Sequence, residues 1–267
     1  KKSNSIYLIS FCEGAAVMAT ELCGSKLISP YFGSSLYVWS AVIAITLGSL
    51  AAGYFYGGKL SLKENRIKIL ASILLISAAF MGFMPIITNV FASIAVSASL
   101  LTAVVIASGL LLVLPMFLMG AASPIIISIQ TEDGKESGRV SGLVYSISTV
   151  GGIISTFLCG FYFIPEFGIS TTLIIFASLL AISLLLLFQK KNNFSIITIL
   201  IALIVLGFTN KSPIKNCIYE KDGILGKLNV LDDTMEIIGV GTTSTRKLLV
   251  NNIVQTEMDM RTGNSLS

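Results

Sequence analysis

Long apolar runs, separated by short polar links, occupy the first 208 residues. The runs Ile6–Ile28 and Tyr37–Tyr56 each reach the ~20 residues a helix needs to cross a bilayer. Between them, Ser29-Pro30-Tyr31-Phe32-Gly33-Ser34-Ser35 carries Pro and Gly where a helix pair should break. A third run, Ile69–Ile87, ends near Pro85. The run from Phe91 to Ile129 is too long for one simple crossing. It predicts a helix over about Ser97–Leu118, then a proline-broken segment, Gly120-Ala121-Ala122-Ser123-Pro124. That segment is expected to bend or re-enter beside the bundle, since irregular backbone is not tolerated exposed to lipid. Val140–Ile164 and Ser170–Phe188 predict two further spans, joined by a turn at Pro165-Glu166-Phe167-Gly168, and Phe194–Phe208 a seventh of marginal length.

From Thr209 the pattern changes abruptly. Short strands are predicted at Gly226–Val230, Met235–Val240 and Lys247–Gln255, with turns at Leu231-Asp232-Asp233 and Gly239–Ser244. The fold class is therefore mainly α, a polytopic transmembrane helical bundle of about seven spans with a small C-terminal antiparallel β module. The two domains are 1–208, helical, and 209–267, a soluble strand module too small to hold a large core.

Small residues recur every four positions at Ala44, Gly48 and Ala52, followed by Gly53 and Gly57, and again at Ser148, Gly152, Thr156 and Gly160. Such spacing predicts faces where helix backbones approach closely. Tyr37 and Trp39 read as an interfacial aromatic belt. The links Lys59–Lys68 and Gln189–Asn193 are basic, which marks both as cytoplasmic. Seven crossings would then put residues 211–267 outside. Either the seventh stretch does not cross, or Phe91–Ile129 crosses twice, or the strand module is external. Glu132–Arg139 reads as a water-exposed loop.

Composition agrees with the pattern. A chain of 267 residues that is 54% hydrophobic and 12% charged, with mean hydropathy +0.87, is no ordinary soluble globule. Its net charge of +4 comes without a basic patch, which argues against nucleic acid as a partner. The absence of histidine removes His-based triads, His metal sites and the usual neutral-pH proton relay. Cys12, Cys23, Cys159 and Cys217 have no metal-type spacing and read as small core residues, so no metal is expected. The chain begins Lys1-Lys2, and its first apolar run is too long for a signal sequence and lacks an obvious cleavage site, so it reads as a retained helix.

Candidate chemistry sits on that first run. Glu13 and Glu21 lie near its middle, where a carboxylate costs ~2.5–3.5 kcal/mol on insertion scales and usually faces protein or a water-filled cavity. Eight residues of helix separate them by ~12 Å along the axis and ~80° around it. That geometry suits two ammonium groups of an extended polyamine. The alternative is that both acids accept hydrogen bonds from neighbouring helices or stay protonated. Lys26 is five residues beyond Glu21, a poor helical offset for pairing.

Three stretches resemble one family. Glu21 through Pro30-Tyr31-Phe32-Gly33-Ser34-Ser35-Leu36-Tyr37-Val38-Trp39 to Gly53-Tyr54-Phe55-Tyr56-Gly57-Gly58-Lys59-Leu60 is similar to the N-terminal membrane region of fused spermidine synthase-like proteins, bacterial aminopropyltransferase relatives. So are Pro115-Met116-Phe117-Leu118-Met119-Gly120-Ala121-Ala122-Ser123-Pro124 and Gly142-Leu143-Val144-Tyr145-Ser146-Ile147-Ser148-Thr149-Val150-Gly151-Gly152. Tyr219–Val230 and Arg246–Thr256 resemble the small β-domain that opens soluble spermidine synthases.

The resemblance implies aminopropyl transfer from decarboxylated S-adenosylmethionine to a polyamine, in a bacterial inner membrane. It also implies a Gly-rich nucleoside-binding domain with a catalytic Asp. No such unit occurs within these residues, so no catalytic residue and no cofactor of this chain's own is expected, and the chain reads as a fragment or part of a longer protein. Only Gln255 falls on a family position associated with the substrate pocket. Glu13, Glu21 and Gln255 are thus the candidate substrate-binding residues, with the lipid bilayer and a polyamine as partners and a homo-oligomer open. Two rival readings stand beside the enzyme: a polyamine or cation transporter using the intramembrane carboxylates, and a purely structural anchor.

Overall fold

The computed structural model describes residues 2–91, 94–95, 99–131, 136–186, 216–223, 226–237, 241–250 and 253–265. Among the described residues six long α-helices form a bundle: α1 (Lys2–Phe32), α2 (Leu36–Leu60), α3 (Arg66–Ile87), α4 (Leu100–Gln130), α5 (Ser137–Leu158) and α6 (Ile164–Ser183). Among the described residues, five helical stretches are long and apolar enough to cross a membrane. The last of these, Ser137–Ser183, runs 47 residues through α5, a π-helical turn at Cys159–Phe163, and α6. Straight, it would reach ~70 Å, more than twice a ~30 Å hydrocarbon core. Gly168, at φ 81° and ψ 169°, breaks it into two limbs. The seventh predicted span, Phe194–Phe208, lies outside the described residues, so the bundle described has five long stretches rather than seven.

Two sequence expectations about breaks are corrected. The first turn is made by Gly33 (φ 77°), whose N–H donates to Ser29 O at 2.8 Å, and Pro30 stays inside α1. A glycine in the left-handed region closes the helix where proline alone would not. Nor does Pro124 break the chain. α4 runs continuously through Pro115 and Pro124 to Gln130, as proline is tolerated in a helix packed among neighbours. Ser77 Oγ donates to Pro115 O on this helix, and Arg66 Nη1 donates to Ser128 O at 2.6 Å, satisfying a carbonyl in the last turn.

Two helix pairs run parallel and very close. In the first, α1 packs on α5: a Cβ at Gly14 would overlap the Ser148 carbonyl, and one at Gly151 the Phe11 carbonyl. In the second, α2 packs on α4, where Gly53 meets Phe117 and Gly120, and Gly57 meets Ala121. Helix α3 lies antiparallel to α4. The predicted Ala44–Gly48–Ala52 face is not the packed one. All three residues are exposed, and Gly48 has open space beside it, whereas Val42, Thr46, Ser49, Gly53 and Gly57 are buried. Their spacings of four, three, four and four follow the 3.6-residue turn, which a strict four-residue ladder drifts away from. On α5 the ladder is half right, for Ser148 and Gly152 are at the contact and Gly160 faces open space.

The C-terminal residues form a four-stranded antiparallel meander, β1 (Cys217–Gly223), β2 (Gly226–Ile237), β3 (Gly241–Val250) and β4 (Ile253–Asp259). Sequence reading placed a turn at Leu231–Asp233, but β2 runs straight through it. Asp232 and Asp233 lie opposite Arg246 and Thr245 and pair in charge with Arg246 and Lys247. The predicted strand Lys247–Gln255 is two strands, with Val250 opposite Ile253. Of the other predicted turn, Gly239–Ser244, residues 239–240 lie outside the described residues, and Gly241–Ser244 are the first residues of β3, paired with β2.

Candidate functional site

Glu13 lies ~16 Å from the start of α1 by the helical rise and is 3% exposed. Its carboxylate Oε2 accepts a hydrogen bond from Ser148 Oγ on α5 at 3.1 Å. Two more hydroxyls stitch the same pair: Ser10 Oγ donates to Val144 O at 3.0 Å and Ser155 Oγ to Ala15 O at 2.7 Å. The glycines at 14, 151 and 152 bring the backbones close enough for these short side chains to reach across.

Beside Glu13 is a cavity of about 360 Å³, lined by residues of α1, α2, α4 and α5. One end is polar, with Glu13, Tyr54, Ser123, Tyr145 and Ser148. The other is mainly apolar, with Val17, Met18, Leu50, Ile153 and Phe157; Thr149 lies between the two, and Thr156 at the apolar end donates its hydroxyl to Gly152 O at 2.8 Å. No Lys or Arg is among the lining residues. A carboxylate in that setting has one hydroxyl donor and no positive partner, which leaves room for a cationic ligand to supply the missing charge.

Of the three residues singled out from the sequence, only Glu13 lines this cavity. Glu21 is half-buried two turns further along α1, outside the lining, so the two acids do not face one ligand there. Gln255 is exposed on β4, at a bulge: Leu248 pairs with Thr256 and Leu249 with Val254, leaving Gln255 as the extra residue. It lies apart from the Glu13 cavity and from a smaller hollow on the sheet bordered by Val230, Arg246 and Leu248.

Sequence reading missed Tyr54, Tyr145 and Ser123 as cavity residues. Ser148, whose spacing predicts a packing residue, both packs and donates to the acid. Tyrosine or serine within an apolar run was the available signal, but it does not say which helix each one faces. Among the described residues, no three His, Cys, Asp or Glu side chains gather as a metal site, and Cys12, Cys23 and Cys159 are buried thiols outside any disulfide.

Comparison with models of protein families, with curated proteins and with solved structures finds no match to this chain.

Proposed function

We propose that this chain is a multi-pass membrane protein whose helical bundle binds an organic amine at Glu13. The observation that carries the reading is a buried carboxylate at a cavity whose lining holds hydroxyls and no cation. A positively charged ammonium fits both deficits, because it supplies the charge and donates hydrogen bonds to the carboxylate and to the tyrosine and serine oxygens. The two limbs of Ser137–Ser183 bring the described crossings to six. Helices α1, α3 and α5 then start on the same side as the basic link at 59–68, which is the cytoplasmic side by its Lys and Arg. A bacterial inner membrane is the setting that the family resemblance suggests.

Dicyclohexylcarbodiimide, which reaches carboxyl groups in apolar surroundings, tests the reading on the full chain in lipid nanodiscs. Labelling is expected at Glu13, to be slowed by primary amines and not by alcohols of the same length, and to vanish in Glu13→Gln. Labelling that no amine slows would count against an amine site.

A second reading, that the parent protein transfers aminopropyl groups, draws support from the four-stranded antiparallel sheet that follows the bundle, where the sequence resembles the small β-domain of spermidine synthases. It is tested by assaying the protein expressed from the whole reading frame with decarboxylated S-adenosylmethionine and putrescine. Product formation supports the reading, and its absence in folded protein opposes it. On this reading the bundle handles the amine and the sheet leads into the catalytic part.

A further inference from the structure

Resting on Glu13 as the amine site, the shape and opening of its cavity specify the ligand more closely. Tyr54, Tyr145, Ile153 and Phe157 line it and are 41%, 45%, 53% and 61% exposed. Tyr54, Tyr145 and Ile153 sit more than a turn inside their helices, and Phe157, near the end of α5, is followed directly by the π-helical turn, so the mouth opens sideways between α2 and α5, toward the surface that meets lipid. The polarity is graded along the helix axes. Glu13, Tyr54, Ser123 and Tyr145 gather toward the helix ends near the basic link. Met18, Leu50, Ile153 and Phe157 extend away from it, and the one hydroxyl among them, that of Thr156, is already given to the Gly152 carbonyl of its own helix. A second acid is missing from the apolar half, because Glu21 lies outside the lining.

We infer that the site takes an amphiphile with a single ammonium head and a hydrocarbon chain, which enters sideways from the bilayer, sets its head on Glu13 and lays its chain along Met18, Ile153 and Phe157. A polyamine matches this cavity poorly, since its second charge would fall in the apolar half with no carboxylate to meet it. The lining also holds no cation, which disfavours heads that carry a phosphate next to the amine. For a ligand already dissolved in lipid, the chain gains little from leaving water. Its contribution is packing along the groove, and the affinity is divided between that packing and the head on Glu13.

The test compares proteins at fixed ligand, so that partitioning of each amine into the bilayer cancels. Wild type, Glu13→Gln and Ile153→Trp are placed in identical nanodiscs and titrated with dodecylamine, propylamine and spermidine, with bound ligand read by native mass spectrometry. Ile153 is half-exposed, so a larger ring there fills the apolar end without entering the core; Phe157→Ser, at an exposed position, is a second probe of the same end. Dodecylamine is expected to bind wild type and to weaken at least ~10-fold, equal to ~1.4 kcal/mol, in each variant. Propylamine and spermidine should bind weakly and ignore Ile153→Trp. If Glu13→Gln weakens all three amines alike while both apolar-end variants leave dodecylamine unchanged, the amine site stands and the amphiphile is wrong. If Glu13→Gln changes none of them, both fall.

Discussion

Two parallel helix pairs, α1 with α5 and α2 with α4, are built the same way yet differ in what lies between their helices. Each closes through glycines whose missing side chains let one backbone rest on another. Across α1–α5, Ser10, Ser148 and Ser155 reach over with hydroxyls, and one of them donates to a buried acid. No side-chain hydrogen bond across α2–α4 is found among the described residues, and Thr46 Oγ1 is buried without a partner. The lesson is that close glycine contact by itself reports packing. The interface that adds hydroxyls and a buried acid, beside an open cavity, is the one on which the proposed amine site rests.

The largest expected effect breaks both pairs alike. Gly14→Leu and Gly57→Leu each force a side chain into a neighbouring backbone. Each should destabilise by at least the ~1–3 kcal/mol typical of overpacking, read as a loss of folded protein in denaturant titrations in detergent. Tolerance of Gly57→Leu alone would mean that the α2–α4 contact is looser than its geometry.

The next effect separates the pairs. Ser155→Ala removes an interhelical hydrogen bond and should cost ~0.6 kcal/mol, at most ~1.7. Thr46→Val removes a hydroxyl that has no partner and keeps its shape, so it should be neutral or stabilising. The same denaturant titrations compare them, and equal losses would erase the distinction. Ser148→Ala leaves the acid without its donor. Amine affinity should then shift by ~2–5-fold with little change in stability, since ~0.6 kcal/mol is about threefold. The carbodiimide protection assay reads this.

The smallest effect lies in the sheet. The hydrogen bonds from Arg246 to Asp232, at 2.8 and 2.9 Å, hold the Asp232 carboxyl below its ordinary value of 3.8. A depressed carboxyl stabilises the folded form above that ordinary value, and the stabilisation is lost as pH falls through the lower folded one. Amide protection factors on β2 and β3 should therefore fall slightly on the acid side of 3.8 in wild type, and Asp232→Asn should flatten that change. Both charges are well exposed, which keeps the effect small.

Much of the bundle was legible because apolar runs of about 20 residues, the length a helix needs to cross a bilayer, form its long helices. The breaks were less legible. Pro30 and Pro124 look like stops in a sequence, but packed neighbours hold the helix through them, and it is Gly33 and Gly168 that turn the chain. Similarly, Asp232 and Asp233 read as a turn because the residues that pair with them, Arg246 and Lys247, are 14 positions away. At the site, Glu13 was visible as an acid where acids are expensive. Tyr54, Tyr145 and Ser123 were not, because their meeting depends on which face of each helix turns inward, and strict four-residue counting gave the wrong face for α2.

The most direct test of the account is a calorimetric titration of a primary amine into the full chain in nanodiscs, with Glu13→Gln as the only change. One saturable site in wild type, weakened at least ~10-fold in Glu13→Gln while the variant unfolds no earlier, is the predicted result. Equal binding by the two proteins would contradict it.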